Sequence, residues 1–197
     1  MMRPGDTATP GAMAAARRSL SVACLCLLLI GQTAPSGAAA YESEAALIFK
    51  IGKFVRWPAG TFTHSQGILR LCILGTDEGG ESIDSLAGQK LQEKVIAIAR
   101  VTSPDQSVAE CHMIFIRKSE RARLAAVLQS IERSPVLTIS DIEGFASSGG
   151  MVGFSSADGR VQFEINVAAS KRVGLTIGAQ LLQIASLSAD PTMDAGP

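Results

Sequence analysis

The chain has 197 residues with 18 basic and 18 acidic side chains, so its formal net charge is zero. Apolar residues make up 47% of it, enough for one ordinary domain with its own core. The balanced charge argues against nucleic acid as a partner, which needs a basic excess, and no polybasic cluster points to an anionic membrane surface.

Residues 1–40 read as a leader rather than as folded protein. Arg17 and Arg18 precede the apolar run Leu20–Ile30, and small and polar residues follow as far as Ala38-Ala39-Ala40. Basic n-region, short h-region and small-residue cleavage site are the three parts of a secretory signal peptide. The apolar run is eleven residues, whereas a spanning helix needs ~20. The reading is cleavage near Ala38 or Ala40, with no membrane insertion afterwards, and Met13 begins a leader of ordinary length. Cys24 and Cys26 leave with it, and most of the apolar run follows them, which argues against a lipid anchor on either. Loss of Arg3, Arg17, Arg18 and Asp6 leaves 15 basic and 17 acidic residues, a net charge of −2.

The segment "ESEAALIFKIGKFVRWP" opens the remaining chain as a helix. Leu47, Ile48, Ile51, Phe54 and Val55 fall at helical spacing opposite Lys50, Lys53 and Arg56, and Pro58 stops the run. Trp57, the only tryptophan, sits at its end as either a core residue or a partner anchor. "LRLCILG" (Leu69–Gly75) is a strand apolar on both faces, which suits a buried parallel position. A short helix follows around Glu81–Leu86, then strands at Lys94–Val101 and Cys111–Arg117. Ser119 is placed as the cap of a helix whose stripe is Leu124, Val127, Leu128 and Ile131; Ser134-Pro135 closes it before the strand Val136–Ser140.

Strands alternating with helices argue for an α/β layered fold with a largely parallel sheet. The pattern then changes. Asp158-Gly159 separates two strand-like runs, a hairpin signal. Val161, Phe163 and Ile165 share one face, and Gln162, Glu164 and Asn166 share the other, read as solvated. The sheet is therefore mixed, flanked by helices, and ends in an antiparallel hairpin. Helical segments follow at Val167–Arg172 and Gly178–Leu187. The organisation is a leader (1–40), one domain (41–188) and a disordered tail (189–197).

Chemistry is sparse. "GFASSGGMVGF" places Gly144 and Gly149 at the spacing of a phosphate loop, but Gly150 and Met151 stand where lysine and a hydroxyl are required. The segment also opens a strand, not the helix whose N-terminus holds phosphate. A sharp turn into the hairpin is the better account. "GTDEGG" (Gly75–Gly80) lies at the carboxyl end of a strand, where α/β sheets often hold ligands, and supports a small-ligand binding protein as the alternative function. Cys72 and Cys111 remain as a pair, and an exported chain favours a disulfide between them. Metal binding by this pair is disfavoured, because His64 and His112 are the only histidines and no close CxxC exists. A thiol enzyme using Cys111 and His112 requires Cys111 to be reduced. His64 reads as part of a solvated loop. No zinc-protease or nucleophile-elbow motif is present. The reading is no enzyme, no catalytic residues, no metal and no cofactor.

In order along the chain, "ALIFKIGKFVRWP", "LRLCILGTDEGG", "SLAGQKLQEKVIAIARV", "CHMIFIRKSERARL", "PVLTISDIEGFASSGGMVGF" and "RVQFEINVAASKRVGLTIGAQLLQIA" together resemble the YfiR family, also labelled DUF4154. The resemblance spans nearly all of Tyr41 to Leu187. It implies a periplasmic repressor that binds the sensor domain of an inner-membrane diguanylate cyclase and so restrains cyclic di-GMP and biofilm formation. It implies an α/β fold, a homodimer, and a family disulfide at Cys72 and Cys111. A second cysteine pair that some relatives carry near the Gly-Gly loop is missing here. A sensor kinase is the other partner considered. Trp57, Gly149 and Gly150 are the candidate partner contacts.

Overall fold

The computed structural model describes residues 43–76, 83–103, 108, 110–157 and 160–189, all within one compact unit that begins at Tyr41. The leader, most of the Gly75–Gly80 loop, the Asp158-Gly159 turn and the tail beyond Ala189 lie outside these residues. Among those described, no helix is long and apolar enough to cross a membrane.

The first helix, α1 (Glu44–Lys53), begins where Ser43 Oγ accepts the Ala46 N–H at 3.3 Å. Leu47, Ile48 and Ile51 are buried along one side. The helix ends four residues before the position that Pro58 suggests. Gln92 is the reason: its side-chain amide donates to the carbonyls of Gly52 (2.8 Å) and Val55 (2.7 Å), which frees the chain to turn. Val55–Arg56 then forms β1, paired antiparallel with β9 (Thr176–Ile177) in a small second sheet.

The main sheet holds β2 (Ile68–Leu74), β3 (Lys90–Leu91), β4 (Lys94–Val101), β5 (Met113–Ile116), β6 (Leu137–Ser140), β7 (Val152–Ala157) and β8 (Arg160–Ile165). Its order is β3-β4-β2-β5-β6-β7-β8. Pairing is parallel from β4 to β7 and antiparallel at both ends, in β3–β4 and in the β7–β8 hairpin. This is the mixed, largely parallel sheet that the sequence implies.

Both faces are covered, and side-chain alternation explains why the central strands read as continuous apolar runs. Leu69, Leu71 and Ile73 enter one core with α1 residues and Leu181 of α4 (Ala179–Ala189). Cys72 and Leu74 enter the other with Leu124 and Val127 of α2 (Leu124–Ser130) and with Phe145. Burying a residue such as Leu69 contributes about 1.5–3 kcal/mol.

Two local expectations are corrected. Ser119 caps no helix: a 3₁₀ turn (Lys118–Arg123) precedes α2, and Ser119 Oγ instead accepts the Thr76 N–H at 3.1 Å. Glu164 and Asn166 do not merely face solvent. Glu164 Oε1 accepts the Gly144 N–H at 3.1 Å, and Asn166 donates to the Ala146 carbonyl at 2.9 Å. The Asn166 oxygen also caps α3 (Val167–Arg172) by accepting the Ala169 N–H at 2.9 Å. Both side chains therefore fasten the glycine segment to the hairpin.

That segment carries the chain from β6 to its parallel neighbour β7 without a helix. Gly144 and Gly149 take φ of +73° and +103°, where L side chains are strained. Gly150 has a different reason: a Cβ there would run into the buried Phe145 ring.

Candidate functional site

The chain's distinctive polar and aromatic groups gather at the amino ends of β2 and β5. Parallel pairing of these strands sets Cys72 opposite Ile114, three residues beyond Cys111. The two cysteines are joined, with Cα atoms 5.9 Å apart, inside the usual range for a bridge. The pairing anticipated from the sequence is therefore present.

His112 follows directly and is the hub of the site. Its backbone N–H donates to the Arg70 carbonyl at 2.9 Å, and its Nδ1 accepts the Arg70 N–H at 3.0 Å. The ring stacks on Phe62, centroids 4.6 Å apart and planes 8° from parallel. Trp57 meets Phe62 edge-on at 5.6 Å and donates its indole N–H to the His112 carbonyl at 3.1 Å. Lys94 places its ammonium 4.3 Å from the centre of the same Phe62 ring. Trp57 is thus a half-buried clasp that ties the loop after β1 to the sheet.

Burial holds the His112 pKa below its ordinary value, and the positive charges of Arg70 and Lys94 act in the same direction against a hydrogen bond with the Thr61 backbone. The folded state therefore favours the neutral ring, whose Nδ1 lone pair is already engaged. With Cys111 in a disulfide and His112 so committed, the Cys111–His112 pair supplies neither thiolate nor base.

The sign of the pH dependence follows. The unfolded chain binds a proton at His112 more readily than the folded one. This contribution is complete above about pH 6.5 and is lost as pH falls through the lower folded value. Urea unfolding at pH 7.5 and pH 5 is expected to show lower stability in acid. His112→Asn, whose oxygen can still accept the Arg70 N–H, is expected to flatten that slope; an unchanged slope would rule His112 out as its source.

Beside this cluster opens a cavity of 460 Å³. Thr61, His64, Ile68, Arg70, Glu110 and His112 are among its walls. It lies at the amino ends of the strands, whereas the Gly75–Gly80 loop that the sequence singles out follows the carboxyl end of β2; of that loop only Gly75 and Thr76 are described. His64, read from sequence as part of a solvated loop, is exposed on the cavity wall.

The three candidate contact residues fall in two places. Trp57 belongs to the histidine cluster. Gly149 lines a smaller 240 Å³ groove with Leu128, Ile131, Met151 and Arg172. Gly150 is buried beside Phe145, so Gly149 is the glycine that reaches the surface there. Among the described residues no group of three or more His, Cys, Asp or Glu side chains is placed to hold a metal.

At the carboxyl ends, Arg117 is buried, donates to Glu44 Oε2 at 2.8 Å and lies 5.0 Å from the centre of the Phe115 ring. Its neighbour Asp141 has its pKa raised by burial, opposed by Lys118 and Arg117. Glu44 and Arg117 are 73 residues apart, and neither carries a local signal that names the other.

A family model described as YfiR/HmsC-like matches residues 41–186. The chain belongs to the YfiR/HmsC-like family. Membership places it among periplasmic regulators of cyclic di-GMP signalling, a family that is regulatory rather than catalytic.

Proposed function

We propose that this YfiR/HmsC-like chain is exported and represses an inner-membrane signalling protein by binding its periplasmic sensor domain, with a diguanylate cyclase as the partner. The observation that carries this reading is the family match along residues 41–186. The leader 1–40 delivers the chain to the periplasm and is cleaved near Ala38 or Ala40. In that oxidising compartment the Cys72–Cys111 bridge persists. A homodimer is the proposed state. The Trp57 clasp and the groove at Gly149 are the proposed contact surfaces.

Deleting the gene is expected to raise cellular cyclic di-GMP several-fold, and the tagged protein is expected to retain a diguanylate cyclase from envelope extracts. An unchanged cyclic di-GMP level in the deletion strain would sink the cyclase assignment. Retention of a sensor kinase instead would move the same mechanism to another receptor.

A further inference from the structure

We infer that the 460 Å³ cavity beside the disulfide is a binding site for a small amphipathic carboxylate, with Arg70 as the anion-binding group. The inference does not depend on which membrane protein the chain regulates.

The cavity is built before any ligand arrives. Its outer wall is the loop from Thr61 to Gly67, which the Trp57–Phe62–His112 stack holds against the sheet. Gln66 and Gly67 both take positive φ, 49° and 80°, as the chain turns into β2. A non-glycine residue in that region is strained and persists where the surroundings over-determine it. The volume lies within the ~300–1,000 Å³ typical of small-molecule sites.

Its chemistry is divided. Ile68 lines it and is 41% exposed, although β2 otherwise buries its large apolar side chains. Pro135 and Cys111 extend the apolar part. Arg70 supplies the charge. Its Nη1 donates to Glu110 Oε2 at 2.8 Å, with the two side chains 46% and 68% exposed. A pair so exposed contributes little stability. Glu110 therefore acts as a replaceable stand-in for an incoming carboxylate. The guanidinium fork suits a carboxylate in two-point contact.

Arg70 rather than Glu110 is the fixed member. It is anchored within β2, and His112 engages both its backbone N–H and its carbonyl. Glu110 sits in a 3₁₀ turn before β5 and is the more exposed. A ligand carboxylate on Arg70 would leave its aromatic or branched aliphatic body over Ile68 and Pro135. The lowered pKa of His112 favours its uncharged ring on that wall.

Benzoate tests this, with benzylamine as the charge-reversed probe, by calorimetric titration of the purified protein. Benzoate is expected to bind with a Kd on the order of millimolar, as suits so small a ligand. Arg70→Gln is expected to weaken it at least about tenfold, the loss of a charge-assisted contact. Glu110→Gln is expected to tighten it several-fold, because the competing carboxylate is gone. A purely structural ion pair predicts no such gain. Both side chains are exposed, so neither change threatens the fold, and the Glu110→Gln arm stands alone if Arg70→Gln misfolds. Equal benzoate affinity in wild type and both variants would overturn the inference, as would stronger binding of benzylamine or no benzoate binding at tens of millimolar.

Discussion

Reducing the Cys72–Cys111 bond is expected to lower stability by about 4 kcal/mol. The two cysteines are 39 residues apart, and closing a loop of that length removes roughly this much free energy from the unfolded chain on the entropy account. Little offsets it in the folded state, because Cys72 and Cys111 are 1% and 4% exposed and packed within the second core. With a urea dependence of ~1–3 kcal/mol per molar, the unfolding midpoint should fall by roughly 2 M. The comparison is made on one preparation, oxidised and then reduced, with Cys72→Ala/Cys111→Ala showing that the reductant itself is silent. A midpoint shift below about 0.5 M would mean that the two strands hold each other without the bridge. A second readout is local. Cys111 adjoins His112, so reduction should raise the exposure of Trp57 to a fluorescence quencher before the chain unfolds.

The strands of this fold were legible because burial writes itself into composition. β5 is an unbroken apolar run, and β2 and β6 are apolar apart from Arg70, Thr138 and Ser140, because all three strands run through the middle of the sheet. The β7–β8 hairpin was legible for the opposite reason, alternation along Val161–Ile165. What escaped was set by contacts distant in sequence. Nothing near Phe54 announces that Gln92, some 40 residues on, ends α1, or that Val55 pairs with Ile177. Gln92 and Glu93 take φ of 49° and 64° in the turn between β3 and β4, positions for which glycine or asparagine is the usual signal. Glu164 looked like solvent-facing alternation because a strand pattern says which face a residue lies on, not what covers that face. The site was half visible. Trp57 and the Cys111–His112 neighbours carry signals in the sequence, but Phe62 and Arg70 have no local mark. Only the parallel pairing of β2 with β5 brings the five together. The cavity stands at the strands' amino ends, where the general preference for carboxyl ends gave no reason to look.

Gly150→Ala is expected to destabilise the protein by about 2–3 kcal/mol, the cost of overpacking a site that cannot relax. The added methyl would meet the Phe145 ring, which is fully buried among Val127, Ile142 and their neighbours and has no open side. The backbone cannot yield either, because the Gly150 N–H donates to the Phe145 carbonyl at 3.0 Å. Gly149→Ala tests a different cause. Nothing crowds that position beyond an ordinary contact with Leu128, so its cost of about 1–2 kcal/mol is backbone strain at φ +103°. Phe145→Leu separates the two. With the ring removed, Gly150→Ala should lose at least about 1 kcal/mol of its penalty, while Gly149→Ala should keep all of its own. Identical penalties in both backgrounds would refute the close approach as the reason for glycine at 150. The same pair of variants bears on partner binding. If Gly149 is a contact, Gly149→Ala should weaken partner capture beyond what its stability loss explains, whereas Gly150→Ala should act only through folding. Glycines that resemble a phosphate loop in spacing are thus divided by two measurements into one that shapes the core and one that reaches the surface.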